Sequence, residues 1–406
     1  MEIKGKYGEA TCYASAIDSE TINQIKTICD FPISEGAKIV IMPDCHAGKG
    51  CVIGTTMKTN DKICPNLIGV DIGCGMFAVK LKEKDIDYQK LDEVVHEIPS
   101  GRDVWDADDV RRTPFPILKF VHCYDELRDI NWLRRSLGTL GGGNHFIEVD
   151  EEDDGTKWLV IHTGSRNLGK QVADIYQRKA IKARKRDQYL SLSQDIISKL
   201  KAEGREREIE SELRKLKDNA VNIPDDLCWL EGKQAADYLD DMMTCQLFAL
   251  ANRVRIAQII LKEAGLHSEY SFETMHNYIE RDPERRFPDI LRKGAISAKK
   301  GEKVIIPMNM RDGVIIATGL GNPDWNYSAP HGAGRVMSRN EARLNLSLDE
   351  YQSEMKGIYS SSICNETIDE APMAYKSMDS IINEINGKTV TDIKILKPVY
   401  NFKAKG

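Results

Sequence analysis

Apolar positions fall along this chain in two kinds of pattern. In the first half, short apolar runs closed by glycine or proline stand at Ala37–Met42, Leu67–Val70, Phe77–Leu81 and Trp158–Ile161. Each has the length and composition of a buried strand, and Gly-rich polar turns separate them. From about residue 167 to 220 the character changes. Ser191–Leu200 and Arg205–Lys217 alternate acids and bases with Leu and Ile at helical intervals, and Gly204 parts them. This predicts a charged helical hairpin, read as a solvated face, with an RNA- or partner-facing arm as the alternative. Glu231–Ala264 predicts a long helix whose stripe of Leu239, Met242, Met243, Leu247, Leu250 and Val254 is read as core, with Gly265 as its stop. The last third alternates strands at Val304–Pro307, Val314–Ala317 and Thr391–Leu396 with helices near Gly334–Leu346 and Met378–Ile385. Elements of both kinds without a regular βαβ period predict an α+β fold. The expected organisation is a single large mixed α/β domain over residues 1–406, with the helical hairpin at 167–220 inserted in it.

Charge and composition narrow the function classes. The 406 residues carry 57 Lys and Arg against 63 Asp and Glu, a formal charge of −6. That excludes a histone-like basic protein and argues against a partner held by bulk electrostatics alone. Mean hydropathy is −0.42 and no apolar run reaches spanning length, so no membrane partner is expected. Met1–Lys6 lacks the apolar core of a secretory signal, and the expected location is the cytoplasm. The ten cysteines are scattered and form no CxxC pair, which speaks against zinc ribbons and thioredoxin-like redox motifs. Neither a Walker A sequence nor a GxGxxG after a strand occurs, so P-loop and Rossmann nucleotide binding are unsupported.

Four of the eight histidines, His145, His162, His276 and His331, sit in Gly- or Asn-bearing turns beside expected strands. Loops on a rigid scaffold are where reactive groups concentrate. Asp71-Ile72-Gly73-Cys74-Gly75 offers a carboxylate and a thiolate three residues apart. Thiolates can bridge two cations and imidazoles complete the shells of borderline divalent metals. Asp71, Cys74, His145, His162 and His276 therefore form a candidate mixed O/S/N cluster for a binuclear site, suited to phosphoryl transfer. The alternative is a buried free cysteine beside a turn aspartate. His331-Gly332-Ala333-Gly334-Arg335 is a second constellation. Its small residues admit a phosphate, the following helix start can hold an anion, and Arg335 adds a forked donor. A neutral His331 can attack a nucleotide α-phosphate, or the segment is a Gly-rich helix start with a capping role. In Met42–Gly50, Lys49 and His46 can meet phosphate and Asp44 can orient a metal-bound ligand, with a plain turn as the alternative.

Several blocks together carry a family resemblance. Pro43–Gly50, Gly69–Met76, Gly138–Glu148, His162–Arg166, His276–Tyr278, Arg292–Ala295, His331–Arg339 and Pro372–Lys376 resemble, in order, the RtcB family of GTP-dependent RNA-splicing ligases. The resemblance implies joining of RNA 3′-phosphate or 2′,3′-cyclic phosphate ends to 5′-hydroxyl ends, in RNA repair or tRNA splicing. It implies two Mn²⁺ ions held by Asp71, Cys74, His145, His162 and His276, with Cys74 bridging, and a guanylylated His331. Asn144, Phe146, Glu148, Asn277, Gly332, Ala333, Gly334, Arg335, Tyr375 and Lys405 match positions of the guanylate pocket. Broken RNA is the implied partner, with an activating protein admitted and a monomer expected. Departures stand at Pro307–Gly313, where the family carries a Pro-Gly-Ser-Met-Gly turn, at Met275, and at Pro330. They point to a divergent branch. Arg111-Arg112, Arg134-Arg135, Lys182–Arg186 and Arg285-Arg286 are candidate phosphate tracks. The rival readings are a binuclear metallophosphoesterase acting on RNA termini and a non-catalytic RNA-end binding protein.

Overall fold

The computed structural model describes residues 1–48, 50–59, 61–107, 109, 116–219, 223–281 and 289–404. Lys49, Arg111-Arg112, Arg285-Arg286 and Lys405 lie outside them. Two sheets organise the described residues. The larger runs β12 (Lys303–Asn309), β13 (Gly313–Gly319), β15 (Val390–Lys403), β6 (Phe146–Glu151), β7 (Lys157–Thr163), β5 (Gly75–Leu81) and β8 (Ser268–Met275), every neighbouring pair antiparallel. The smaller runs β1 (Glu2–Lys4), β2 (Glu9–Cys12), β3 (Lys38–His46), β4 (Ile53–Lys58), β10 (Ile290–Lys293) and β9 (Asn277–Glu280), with β2 and β3 parallel. A short ribbon pairs β11 (Ala295–Ser297) with β14 (Ser328–Pro330). Helices and sheets in one mixed domain agree with the α+β expectation.

Helices start where local chemistry satisfies their free N–H groups. Asp18 caps α1 (Ser19–Cys29) and Asp87 caps α2 (Tyr88–His96). The left-handed Asp129 caps the short α3 (Ile130–Arg135). α4 (Asn167–Ala202) runs for 36 residues, the chain turns at Gly204, and α5 (Ile209–Asn219) packs against α4. The hairpin has a rooted base, because Leu168, Val172, Ala173, Ile175, Tyr176 and Ala180 of α4 are buried in the main core. α6 (Gly232–Ala264) ends at Gly265, which takes the left-handed C-cap that glycine accepts most readily. Ser338 with Glu341 and Ser347 with Glu350 form capping boxes on α7 (Arg339–Asn345) and α8 (Leu348–Glu354), and α9 (Met378–Ile385) falls where the pattern put it.

Three expectations need correction. Leu67–Val70 is no strand: Pro65–Leu67 forms a single 3₁₀ turn, with Pro65 at its start fixing φ, and the chain then turns at the left-handed Gly69. The helix expected from Gly334 begins only at Arg339, because Gly334 is itself left-handed and Ser338 supplies the cap. The stripe expected as the core of α6 is buried only at Leu239 and Met242, with Leu250 and Val254 half-buried. Met243 and Leu247 are exposed, whereas Tyr238, Asp241, Met242, Cys245, Phe248, Asn252, Arg253 and Ile256 face inward. Polar residues occupy that inner face for a reason that the site explains. No helix among the described residues is long and apolar enough to cross a membrane.

Candidate active site

The order of strands in the larger sheet places the candidate ligands side by side. Cys74 immediately precedes β5, His145 immediately precedes β6, His162 lies next to the end of β7, and His276 follows β8. Neighbouring strands run in opposite directions, so two strand starts and two strand ends meet at one edge. Four residues spread over two hundred positions converge there. Cys74 Sγ lies 3.5 Å from His145 Nε2 and 3.3 Å from His162 Nε2. His162 Nε2 is 3.5 Å from His276 Nε2, and His145 Nε2 is 3.2 Å from Asp71 Oδ2. These donors fall into two overlapping triads, Cys74/His162/His276 and Asp71/Cys74/His145, which share Cys74.

The surroundings fix what these groups offer. His145 Nδ1–H donates to the Leu140 carbonyl at 2.9 Å and His162 Nδ1–H to the Asn144 carbonyl at 3.2 Å, which leaves each Nε2 lone pair facing the cluster. Burial, reinforced by the neighbouring histidines, holds His162 and His276 well below the ordinary imidazole range, so both are neutral at physiological pH. The His276 Nδ1 is buried without a hydrogen-bond partner. Burial and then the charge of Asp71 push the Cys74 thiol up. Burial opposes ionisation of Asp71 too, but the hydrogen bond and charge of His145 bring that carboxyl below its ordinary value. Neutral imidazole lone pairs, a carboxylate and a sulfur aimed at one another with too few protons between them are a donor set that fits divalent cations. Gly164 makes room for it: a Cβ there would meet Asp71 Oδ1 at 2.3 Å.

The polar inner face of α6 stitches this edge together. Asn252 accepts from the Gly138 and Thr139 N–H groups and donates to the Thr139 and Gly164 carbonyls. Arg253, fully buried, donates to the Gly73 and Thr163 carbonyls and pairs with Glu273. Each such bond to buried backbone contributes roughly 1 kcal/mol, and more from the charged guanidinium. These two residues were invisible as site residues in the sequence. The signal available was their position, two polar side chains on the buried face of a helix.

The second constellation stands next to the first. His331 follows β14, and its ring centroid is 4.9 Å from that of His276. Asp44, on β3 and fully buried, accepts from His331 Nδ1 at 2.8 Å and from the His331 backbone N–H at 3.2 Å through one oxygen. Lys376 secures that segment by donating to the Pro43 and Cys45 carbonyls. With Nδ1–H committed to Asp44, the His331 Nε2 lone pair is free, the arrangement that makes an imidazole a nucleophile or base. Gly334 permits the approach: its φ is +74°, and a Cβ would come within 2.2 Å of the Asp44 carbonyl oxygen.

His331 opens into a cavity of about 320 Å³, within the range of small-molecule sites. Asn144, Phe146, Glu148, Gly332, Ala333, Gly334, Arg335 and Tyr375 line it, as do His46, Met308, Met310, Glu370, Asn401 and Lys403. Asn277 is not among the lining residues. Its side chain donates to the Asp71 carbonyl and accepts from the Gly294 N–H, so it joins the ligand loop to β10. Arg335 reaches the wall but its donors are engaged by Met337 O, Asp369 O, Glu370 and the Tyr375 hydroxyl, and no helix begins there. The expectation of a free phosphate fork on a helix start is therefore replaced by a structural one. Lys403, which sequence reasoning passed over, points between Glu370 and the Asn144 carbonyl above the Phe146 ring. Burial would raise Glu370, yet Lys403 and Arg339 beside it bring its carboxyl down to about 2. The 307–313 departure is the tip of the β12–β13 hairpin, where Asn309 Oδ1 accepts from the Arg311 and Asp312 N–H groups and Met308 and Met310 turn inward. Of the basic clusters, Arg184 and Lys185 are paired with Glu231 and Asp225.

The family model described as tRNA-splicing ligase RtcB matches residues 24–113 and 126–404. The chain is 30% identical over 380 residues to the RNA-splicing ligase RtcB of Escherichia coli K12, covering 85% of each chain. It is 27% identical to the RNA-splicing ligase RtcB2 of another Escherichia coli strain, covering 96% of this chain and 93% of that one. The tRNA-splicing ligase RtcB of Aeropyrum pernix is 28% identical, with 84% of this chain and 82% of the relative covered.

Proposed function

On the premise that this chain belongs to the RtcB family, which the match over nearly its whole length shows, we propose that it is a GTP- and Mn²⁺-dependent RNA ligase. It joins 3′-phosphate or 2′,3′-cyclic phosphate ends to 5′-hydroxyl ends. The single observation that carries this reading is the adjacency of the Cys74-sharing donor cluster to an imidazole whose Nδ1 is held by a buried carboxylate.

In this account Asp71, Cys74, His145, His162 and His276 hold the cations, which when bound neutralise phosphate charge and stabilise attacking and leaving oxygens. Asp44 keeps the His331 proton on Nδ1. His331 Nε2 attacks the α-phosphorus of GTP, forming a P–N bond as the α–β P–O bond breaks and pyrophosphate leaves. The guanylyl group then passes to an oxygen of the RNA 3′-phosphate, freeing the imidazole. Finally the 5′-hydroxyl attacks that activated phosphate, its proton is lost, and GMP departs. A cyclic phosphate must first be opened by water. Asn144, Phe146, Glu148, Tyr375 and Lys403 surround the nucleotide, and Lys405 belongs to the same proposed set. The enzyme acts as a monomer in the cytoplasm, and an activating protein can assist its turnover.

The test is the joining of two synthetic RNA fragments, one ending in 3′-phosphate and one beginning with 5′-hydroxyl, with GTP and Mn²⁺ present. Joined product that requires both supports the reading. Phosphate release without joining turns it toward the metallophosphoesterase, and tight end binding without turnover toward the RNA-end binding protein.

A further inference from the structure

Strand β6 carries two acidic side chains on one face, Glu148 and Asp150, because residues two apart on a strand point the same way. Both are buried, Asp150 completely. Glu148 faces the cavity. Asp150 lies one step behind it, under the tip of the β12–β13 hairpin, where a Cβ on Gly313 would come within 3.0 Å of its Oδ1. Asn401, in register with Glu148 on β15, donates its amide N–H to the Glu148 carboxylate. Asp150 has no such help, and among the described residues no hydrogen-bond donor reaches either of its oxygens. Its register partners are Pro398, which has no N–H, and Trp158, whose indole N–H goes to Glu152.

A buried carboxylate without donor or cation is strongly disfavoured. The neighbouring acid on the same face of β6 is Glu148, and two buried carboxyls side by side share a proton. Of the charged groups around the pair, Lys403 acts from β15 on Glu148, and Glu370 engages Lys403 from the far side. Across the cavity, Arg335 and Arg339 are paired with Glu370, and Arg339 also with Asp369. The charge acting on Asp150 is that of Glu148.

We propose that Asp150 is a positioning residue of the nucleotide site: a neutral acid that donates its proton to Glu148, so that Glu148 meets the cavity as a fixed anionic acceptor for the adjacent N–H donors of a guanine base. This rests on the nucleotide reading of the cavity given above. Burial and then the charge of Glu148 push the Asp150 carboxyl up, which keeps its proton in place. Burial also raises Glu148, to about 7, although the hydrogen bonds from Asp150 and Asn401 and the charge of Lys403 pull it down. Glu148 is thus the group of the pair that ionises as pH rises through neutrality, and GTP binding strengthens over the same interval.

The experiment measures binding of GTP by calorimetry from about pH 6 to about pH 9, for the wild type, Asp150→Ala and Asp150→Asn. Asp150→Ala removes the donor, so affinity at neutral pH falls about 10- to 100-fold and the midpoint of the pH profile moves upward by about one unit. Asp150→Asn keeps an N–H donor and stays within a few-fold of the wild type. Wild-type affinity and midpoint in Asp150→Ala, or equal damage in both variants, overturns the assignment. Should Asp150→Ala not fold, infrared spectroscopy decides on the other two. A protonated carboxyl C=O band at about pH 9, where Glu148 is ionised, that is lost in Asp150→Asn is expected; its absence from the wild type, or its persistence in the variant at that pH, overturns the assignment. A wild type without affinity for GTP refutes the nucleotide reading itself, a result distinct from all of these.

Discussion

Asp44→Asn isolates the orientation of His331 from everything else in the site. Asp44 belongs to neither of the candidate metal-ligand triads, yet one of its oxygens takes both the Nδ1–H and the backbone N–H of His331. The other oxygen is buried without a donor. An asparagine at this position has two ways to sit. With its NH₂ toward Nδ1, it forces the ring proton onto Nε2 and removes the nucleophilic lone pair. With its oxygen there, it accepts as a neutral group and buries an unpaired NH₂ where Oδ1 now stands. Loss of a hydrogen bond to a charged partner costs about 1.5–3 kcal/mol, or about 10- to 150-fold in rate. Fixing the wrong tautomer in a comparable carboxylate–histidine pair costs about 10⁴-fold. Guanylylation by Asp44→Asn is therefore expected to slow by about 10²- to 10⁴-fold, with metal content unchanged. Single-turnover labelling with α-labelled GTP measures the rate, and elemental analysis measures the metal. A wild-type labelling rate, or a loss of rate fully explained by lost metal, refutes the reasoning.

Three further outcomes follow from the same geometry. Cys74→Ala removes the one side chain common to both triads, so Mn²⁺ affinity falls by more than the 10- to 100-fold typical of outer-shell changes; equilibrium dialysis that finds wild-type binding contradicts the shared role. Glu370 is held from an ordinary 4.5 down to about 2, which at about 1.36 kcal/mol per pH unit is worth roughly 3 kcal/mol of stability. Because its folded value is depressed, that contribution is present above about pH 4.5 and is lost as pH falls toward 2. Urea unfolding of Glu370→Gln against wild type should show a gap of that order at neutral pH that closes in acid. Gly334→Ala places a Cβ at 2.2 Å from the Asp44 carbonyl at a left-handed position. It should destabilise the chain by about 1–3 kcal/mol in thermal melts and separate Asp44 from His331, lowering the labelling rate at least tenfold.

Much of the candidate site is legible in the sequence because its parts are short and chemically rare. Asp71, Cys74, three histidines in strand-end turns and the His331 loop each announce themselves locally. What no local pattern states is the strand order, and it is the order β6, β7, β5, β8 that turns scattered turns into one cluster. The supports were harder to see. Asn252 and Arg253 are polar residues on a helix face whose burial depends on loops more than fifty residues away, so hydrophobic pattern alone rotated α6 toward Met243 and Leu247. The same holds for Arg335, whose type suggests phosphate but whose donors the 369–370 turn and Tyr375 engage. At Leu67–Val70, apolar composition stood for a strand where a proline-led turn was needed. The glycine stop at Gly265 placed the end of α6 well, since it depends on nearest neighbours, and the apolar pattern placed α9.

The central claim is that His331 carries the nucleotide covalently beside the Cys74-sharing cluster. Protein incubated with α-labelled GTP and Mn²⁺, then denatured and digested, gives the most direct answer. The predicted result is label that survives denaturation in base, is released in acid as a phosphoramidate should be, maps to the peptide containing His331, and is absent from His331→Ala. RNA joining at full rate with no label on the protein, or label on any other residue, contradicts it.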